Sequence, residues 1–312
     1  MTATADRLSR PHYTPHRIPA QVLRYAGDPD TLGVGRPGKV GLLELGFEPV
    51  DRRTELVRHY QKTPLQIMRP LYIDPHRPDL PVVYLMSTGG GIVQADRLRT
   101  DIDCAAHSSV HVTTQAATKV HRMDADFATQ MVNIGVGSHG YVEYLPDPII
   151  PFGGSRFYQQ TVLTVDASAT LLAGETVMAG RLARGERHDY DVFAADLELR
   201  RPGGELIAID TVRLQPRRAP VTGPGILGEN TLMATFVVTT PLQSATAVAE
   251  ALHAALHHHT VHYGVSVLPH DSGAWARILG VDPPALHAAM RSTWNAVRQL
   301  LLEVPAPDLR KT

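Results

Sequence analysis

The amino-acid sequence predicts a mainly β chain of α+β class, with its helices gathered toward the C-terminal end. Three observations carry this reading. Short apolar runs bounded by Gly, Pro and Asp recur between Val40 and Thr240, and they are too short for helices. Several of them alternate apolar and polar residues with the period of two that a strand imposes. After Pro241 the chain turns alanine-rich, with apolar residues at helical spacing.

Taken in order, residues 1–20 are rich in Pro, Thr and Arg and lack periodicity, which predicts a flexible arm. Val40–Leu45, Leu65–Ile73 and Val82–Met86 read as strands. Val110–Thr114 and Met131–Val136 alternate, so each reads as a strand half-buried on one face. Val192–Leu214 reads as a hairpin of well-specified register, because two alternating runs flank Pro202-Gly203-Gly204, a tripeptide that permits positive φ. Thr231–Thr240 is a β-branched run, and Pro241 ends it by withholding a ladder donor. Leu242–Tyr263 then reads as a helix with Ala245, Val248, Ala249, Leu252, Ala255 and Leu256 on one stripe, and Gly264 as its stop. Ala274–Leu279 reads as a short helix. A second long helix starts near Pro284, with Asp282 as N-cap ahead of the Pro283-Pro284 pair. Its stripe is Leu286, Met290, Trp294, Val297 and Leu301, and Pro305 closes the segment.

No repeat of fixed period is visible. The junction near 241 has no linker composition, so residues 21–312 are expected to form a single domain. Its β body covers about 21–240 and its helical part about 241–304.

Composition removes several function classes. With 30 Lys and Arg against 31 Asp and Glu, the net charge of -1 gives no electrostatic reason to expect nucleic acid as a partner. The densest basic groups, Arg200-Arg201 and Arg217-Arg218, read as solvated turns. The single cysteine, Cys104, can neither close an internal disulfide nor build a thiolate metal cage, and it reads as a small buried apolar residue. The first residues lack the apolar core of a signal peptide, and no run of about 18 apolar residues occurs. A cytoplasmic protein without a membrane partner is expected.

The candidate motifs mostly dissolve on inspection. Gly33–Val40 nearly matches the phosphate-loop pattern, but Val40 stands where a magnesium-binding hydroxyl belongs and the following residues read as strand. Gly89-Gly90-Gly91 lacks the order of a dinucleotide loop and reads as a tight turn between strands. Ser87 has no nucleophile-elbow context. Among the 16 histidines, His253 and His257, and likewise His258 and His262, stand four apart, the spacing at which a helix offers two imidazoles on one face. The alternative is a helix end favouring imidazolium. Asp96, Asp101, Asp103, Asp147 and Glu186 lie near turns, where a solvated carboxylate is the default. Glu143 and Glu175 stand within apolar strands, where an acid needs a partner or a cation.

One set of ordered motifs points further. STGGGIVQADRL, TTQAATKVHRM, EYLPDPIIPFGGSRFYQ, GRLARGE and GVSVLPHDSGAWARILG, with Trp294, resemble the urease accessory protein UreD (UreH) family from about Gly38 to Leu302. The resemblance implies an elongated stack of β-sheets, right-handed β-helix-like, with two C-terminal helices. It also implies a non-catalytic scaffold that binds apo-urease, UreF and the GTPase UreG, dimerises through UreF and supports GTP-dependent nickel insertion. No cofactor is expected to be held tightly, and Ni2+ is expected in transit. A conduit must bind an ion weakly at successive places, which suits oxygen ligands. On that reading Asp96, Glu143, Asp147 and Glu175 are the transit candidates. Two rival readings are a hydrolase using a divalent metal, and a nickel store built on His253–His262.

Overall fold

The structure is a computed structural model that describes Arg7, residues 9–27, residues 40–309 and Lys311. The phosphate-loop-like segment therefore lies outside the described residues except for Val40, which opens the first strand. Within the segment expected as a flexible arm, Tyr13 is buried and donates from its hydroxyl to the carbonyl of Arg7 at 2.7 Å. A short helix α1 (Ala20–Leu23) follows and buries Val22.

β1 (Val40–Val50) turns back as β2 (Arg53–Lys62), and β3 (Leu65–Ile67) is followed by β4 (Val82–Ser87). The strand expected over Leu65–Ile73 is thus confined to three residues. The chain then winds. One coil comprises β5 (Arg97–Cys104), β6 (Ser109–Thr114) and β7 (Thr118–Val120). The next comprises β8 (Ala128–Val136), β9 (Tyr141–Tyr144) and β10 (Ile149–Pro151), and a further one β11 (Arg156–Val165) and β12 (Thr170–Met178). The expected hairpin follows as β13 (Val192–Arg200) and β14 (Leu206–Leu214), its register shifted between Leu199 and Arg200.

Among the described residues the windings stack into two principal sheets. In the first, β1, β5, β8, β11 and β13 are parallel neighbours, edged by antiparallel β2 and β14. In the second, β4, β6, β9 and β12 are parallel neighbours. A narrow third side is formed by the Ile92–Val120 bridge and the pairing of β7, β10 and β12. This is the β-helix-like stack that the resemblance implied. The coils separate Arg97 from its neighbour Thr129 by 32 residues and Ala128 from Phe157 by 29, so no fixed period marks the sequence.

The second sheet continues antiparallel through β15 (Leu232–Thr239), β17 (Gly273–Gly280) and β16 (His262–Val267). Two expectations are corrected here. Ala274–Leu279 is strand, because Ala274, Ala276 and Ile278 alternate into the core between two partner strands that lie far away in sequence. Helix α2 (Ala245–His257), capped by Ser244 accepting from the Ala247 amide at 3.2 Å, stops at His257. Gly264 therefore lies inside β16 and terminates nothing. Helix α3 (Pro283–Leu302) starts as expected, with Asp282 accepting from the Ala285 amide at 3.0 Å. Among the described residues no helix is long and apolar enough to cross a membrane.

Strand alternation divides the core. Leu43, Val112, Val132, Val142, Leu163 and Leu171 fill the space between the two sheets. On the opposite face of the second sheet, Tyr141, Leu172 and Phe236 meet Val248 and Leu252 of α2 and Leu286, Trp294 and Val297 of α3. The sheet is therefore buried on both sides, and Val110–Thr114 is not half-buried as expected: His111 and Thr113 are both 0% exposed.

Charges trapped on that helix-covered face are paired. Arg298 of α3 is fully buried, donates from Nη2 to Asp74 Oδ2 at 2.5 Å, and places Nε 3.6 Å from Glu143 Oε1. Glu143 also accepts from the Tyr141 hydroxyl at 2.7 Å and lies 2.7 Å from Nδ1 of His111, whose ring packs on Trp294. Burial works to raise the Glu143 carboxyl, but His111 and Arg298 outweigh it and hold the group below its ordinary value. A depressed folded value stabilises the protein above the ordinary glutamate range, and that contribution is lost as pH falls through the depressed value. In urea denaturation Arg298→Ala is expected to cost about 3–5 kcal/mol, since it strands two buried carboxylates. A loss under about 1 kcal/mol would show that this cluster does not anchor α3.

Candidate functional site

Some polar side chains share the inward parity of the core. In β8, Gln130 has the parity of Val132, Ile134 and Val136; in β11, Gln159 and Thr161 have that of Leu163 and Val165. Parallel register stacks Leu98, Gln130, Gln159 and Ala195 in one column across four strands. Inward polar groups need partners or space for a polar guest. Here Gln130 and Gln159 border a cavity of about 270 Å³, also lined by Thr100, Thr114, Tyr144, Asp147 and Glu175.

The cavity reaches the surface beside the exposed residues Ser87–Gly90. The triple glycine forms a bend after β4 in place of the tight turn expected, and its demand falls on Gly91. That residue has φ 148°, and a Cβ there would lie 2.5 Å from the Lys119 carbonyl oxygen. Such close approach permits the Ile92 amide to donate to the same carbonyl at 2.8 Å. A small void shares Gln159, Glu175 and Thr176 with the cavity and extends to Asp210 and Arg277. A second cavity of about 150 Å³, beneath α3, shares Pro146, Asp147 and Thr176.

Glu175 is one of two acids that line the cavity. Gln159 Nε2 donates to its Oε1 at 2.7 Å and the Thr161 hydroxyl at 2.6 Å. Burial pushes its carboxyl above the ordinary value and Asp210 adds to the rise, while Thr161, Gln159 and Arg277 offset part of it. Asp147 Oδ2 accepts from the Lys311 ammonium at 2.9 Å and from the Thr114 hydroxyl at 3.2 Å. Burial draws Lys311 below its usual value, against the pull of Asp147.

Of the four sequence candidates, Glu175 and Asp147 line this one cavity. Asp96 instead accepts from the Val93 amide at 2.9 Å in the turn leading into β5, and Glu143 faces α3 on the other side of the sheet. Gln130, Gln159, Thr161 and Thr100 were not singled out, although each carries a readable signal: a polar residue at the parity of an apolar stripe. The histidine pairing is corrected in part. His253 and His257 have ring centroids 6.1 Å apart, but His258 lies past the end of α2 and His262 in β16, so that pair shares no helix face.

Chemically the cavity offers carboxylate, hydroxyl and amide oxygens, the donors that bind a divalent ion without a tight thiolate cage. Cys104 is buried outside it, and burial pushes its thiol up. Because folding disfavours the ionised form of Glu175, the stability linked to this group is fullest below the ordinary glutamate value and declines as pH rises through the raised one. Glu175→Gln is therefore expected to melt no lower than the parent at neutral pH, with the difference moving in the variant's favour between pH 5 and pH 7.5. A variant that melts lower at pH 7.5 than at pH 5, relative to the parent, would contradict this.

Comparison with known proteins converges on one family. The family model described as UreD urease accessory protein matches residues 39–312. The urease accessory protein UreD 2 of Streptomyces griseus is 53% identical over 288 residues, covering 92% of this chain and 98% of that protein. UreD 2 of Brucella canis is 35% identical over 291 residues, covering 92% and 96%. UreD 2 of Methylorubrum extorquens is 37% identical over 279 residues, covering 88% and 90%. With the β-helix-like stack and the match along nearly its whole length, the chain belongs to the UreD urease accessory protein family.

Proposed function

We propose that this chain is a cytoplasmic, non-catalytic scaffold of urease maturation, which binds apo-urease, UreF and the GTPase UreG, and whose interior hands Ni2+ along during GTP-dependent insertion into urease. The observation that carries the conduit is the cavity between the sheets, with Glu175 inside it and Asp147 at its border. Nickel is cargo on this reading, so each stop must release it. A single carboxylate backed by an amide and a hydroxyl binds weakly enough to do so. The raised carboxyl of Glu175 adds a competitor, since a proton and the ion contend for the same oxygens. The break between His257 and His262 at the end of α2 favours a conduit over a histidine store.

The docking face for UreF, and through it for a dimer, is taken to be the β16 edge with α2. β16 is the terminal strand of its sheet among the described residues, and Val267 within it and Leu242 ahead of α2 are 55% and 53% exposed. Two measurements test the reading separately. In cells expressing urease and its accessory proteins, Glu175→Gln is expected to lower urease activation and urease-bound nickel about tenfold or more, with UreF and apo-urease still co-purifying. Full activation in that variant would dismiss the conduit. Val267→Glu is expected to weaken UreF co-purification, and undiminished recovery of UreF would dismiss the docking face.

A further inference from the structure

We infer that the N-terminal segment completes a divalent-metal site on the outer face of the first sheet, formed by His12, Glu44 and Asp101 and suited to a first-row transition ion such as Zn2+. Glu44 and Asp101 are register partners on the parallel strands β1 and β5. Strand alternation turns both away from the core that Leu43, Leu45 and Ile102 enter. Arg99 Nη1 donates to the His12 carbonyl at 2.8 Å and ties the N-terminal segment across this face. As a result one ligand atom from each of the three residues lies within 4.8 Å of the other two.

Two features mark this as a built site in preference to a set of surface ion pairs. The first is Glu44, whose side chain is only 6% exposed. Arg7 takes Oε2, while the buried Oε1 has no hydrogen-bond donor. Leaving a buried carboxylate oxygen without a donor is costly, and a cation is the group that would satisfy it. The second is the outer ring of contacts. Asp101 accepts from Arg99 Nε at 2.7 Å on one oxygen and from Asn133 Nδ2 at 2.7 Å on the other. Each oxygen keeps a lone pair for a metal, and such donors orient a ligating carboxylate.

The ligand set decides the ion. One imidazole with two carboxylates suits Zn2+, Ni2+, Co2+ or Mn2+ better than Ca2+, which prefers all-oxygen cages. Ligands at about 2.1 Å from a tetrahedral ion stand about 3.4 Å apart, so small side-chain rotations close the set. Two arginines already balance the two carboxylates, so binding is reversible and of modest strength. His12 precedes the stretch 39–312 that matches the family, whereas Glu44 and Asp101 lie within it. The site is separate from the cavity and does not depend on the nickel conduit.

The test uses the purified chain and Zn2+ alone, in a His253→Ala/His257→Ala background that removes the histidine pair on α2 as a competing site. Calorimetric titration and melting temperature are read together. One Zn2+ is expected to bind with a rise in melting temperature, and His12→Ala and Asp101→Asn are each expected to weaken binding by about 10–100-fold. His12→Ala alters a side chain that is not part of a strand, and its metal-free melting temperature is expected to match the parent, so it decides the matter even if Asp101→Asn folds poorly. Equal Zn2+ binding in the parent and His12→Ala would overturn the assignment. Glu175→Gln is expected to leave this binding unchanged, and loss of binding there would place the ion in the cavity and overturn it as well.

Discussion

Because β9 and β12 are covered on one face by the first sheet and on the other by α3, every polar side chain on them must be satisfied inside the protein. That double burial organises the second sheet. Glu143 faces the helix, where a charge with no partner would be untenable, and it is met there by His111 and by the Arg298 guanidinium that also holds Asp74. The cluster orients α3 more than it stabilises it. Paired buried charges return little beyond what apolar packing supplies, and the packing here comes from Leu286, Trp294 and Val297.

The inner face resolves the same demand differently. Parallel stacking places equivalent positions of successive coils side by side, so a polar residue at an inward position borders others of its column. Gln130 beside Gln159 makes one such polar stretch, and Gln159 reaches across to Glu175 on the facing sheet. Where large apolar side chains would have closed the interior, amides and hydroxyls leave room. Hydrogen bonds from Gln159 and Thr161 to Glu175 then take the place of the ion pairing used on the other side. Glu143 and Glu175 are thus two answers to one constraint, a salt-bridged carboxylate and a cavity carboxylate, separated by strand parity.

That parity explains what could and could not be read from the residues. Local features were legible: the Asp282 cap, the α3 stripe and the Pro202-Gly203-Gly204 hairpin depend on neighbours in sequence. The chain's membership of its family was legible too, through several motifs in order. Glu143 and Glu175 looked alike because both sit in apolar strands, and a sheet with no solvent face offers no exposed side from which to set the phase. Ala274–Leu279 was misread for a related reason. Its alanines suit a helix, and only β15 and β16, distant in sequence, make it a strand. The coils escaped notice since 32- and 29-residue windings share geometry without sharing residues.

The two carboxylates also differ in what a proton does to them. Glu143 is held ionised by fixed partners, so mild acid leaves its contacts in place and the docking of α3 persists. Glu175 has lost part of the stabilisation that water gives a carboxylate, so it takes up a proton more readily than an ordinary glutamate. Protonation there leaves the helix-covered face undisturbed, since the two groups lie on opposite sides of one sheet. The double burial of the second sheet thus keeps a salt-bridged carboxylate beneath α3 and a carboxylate of raised proton affinity facing the cavity.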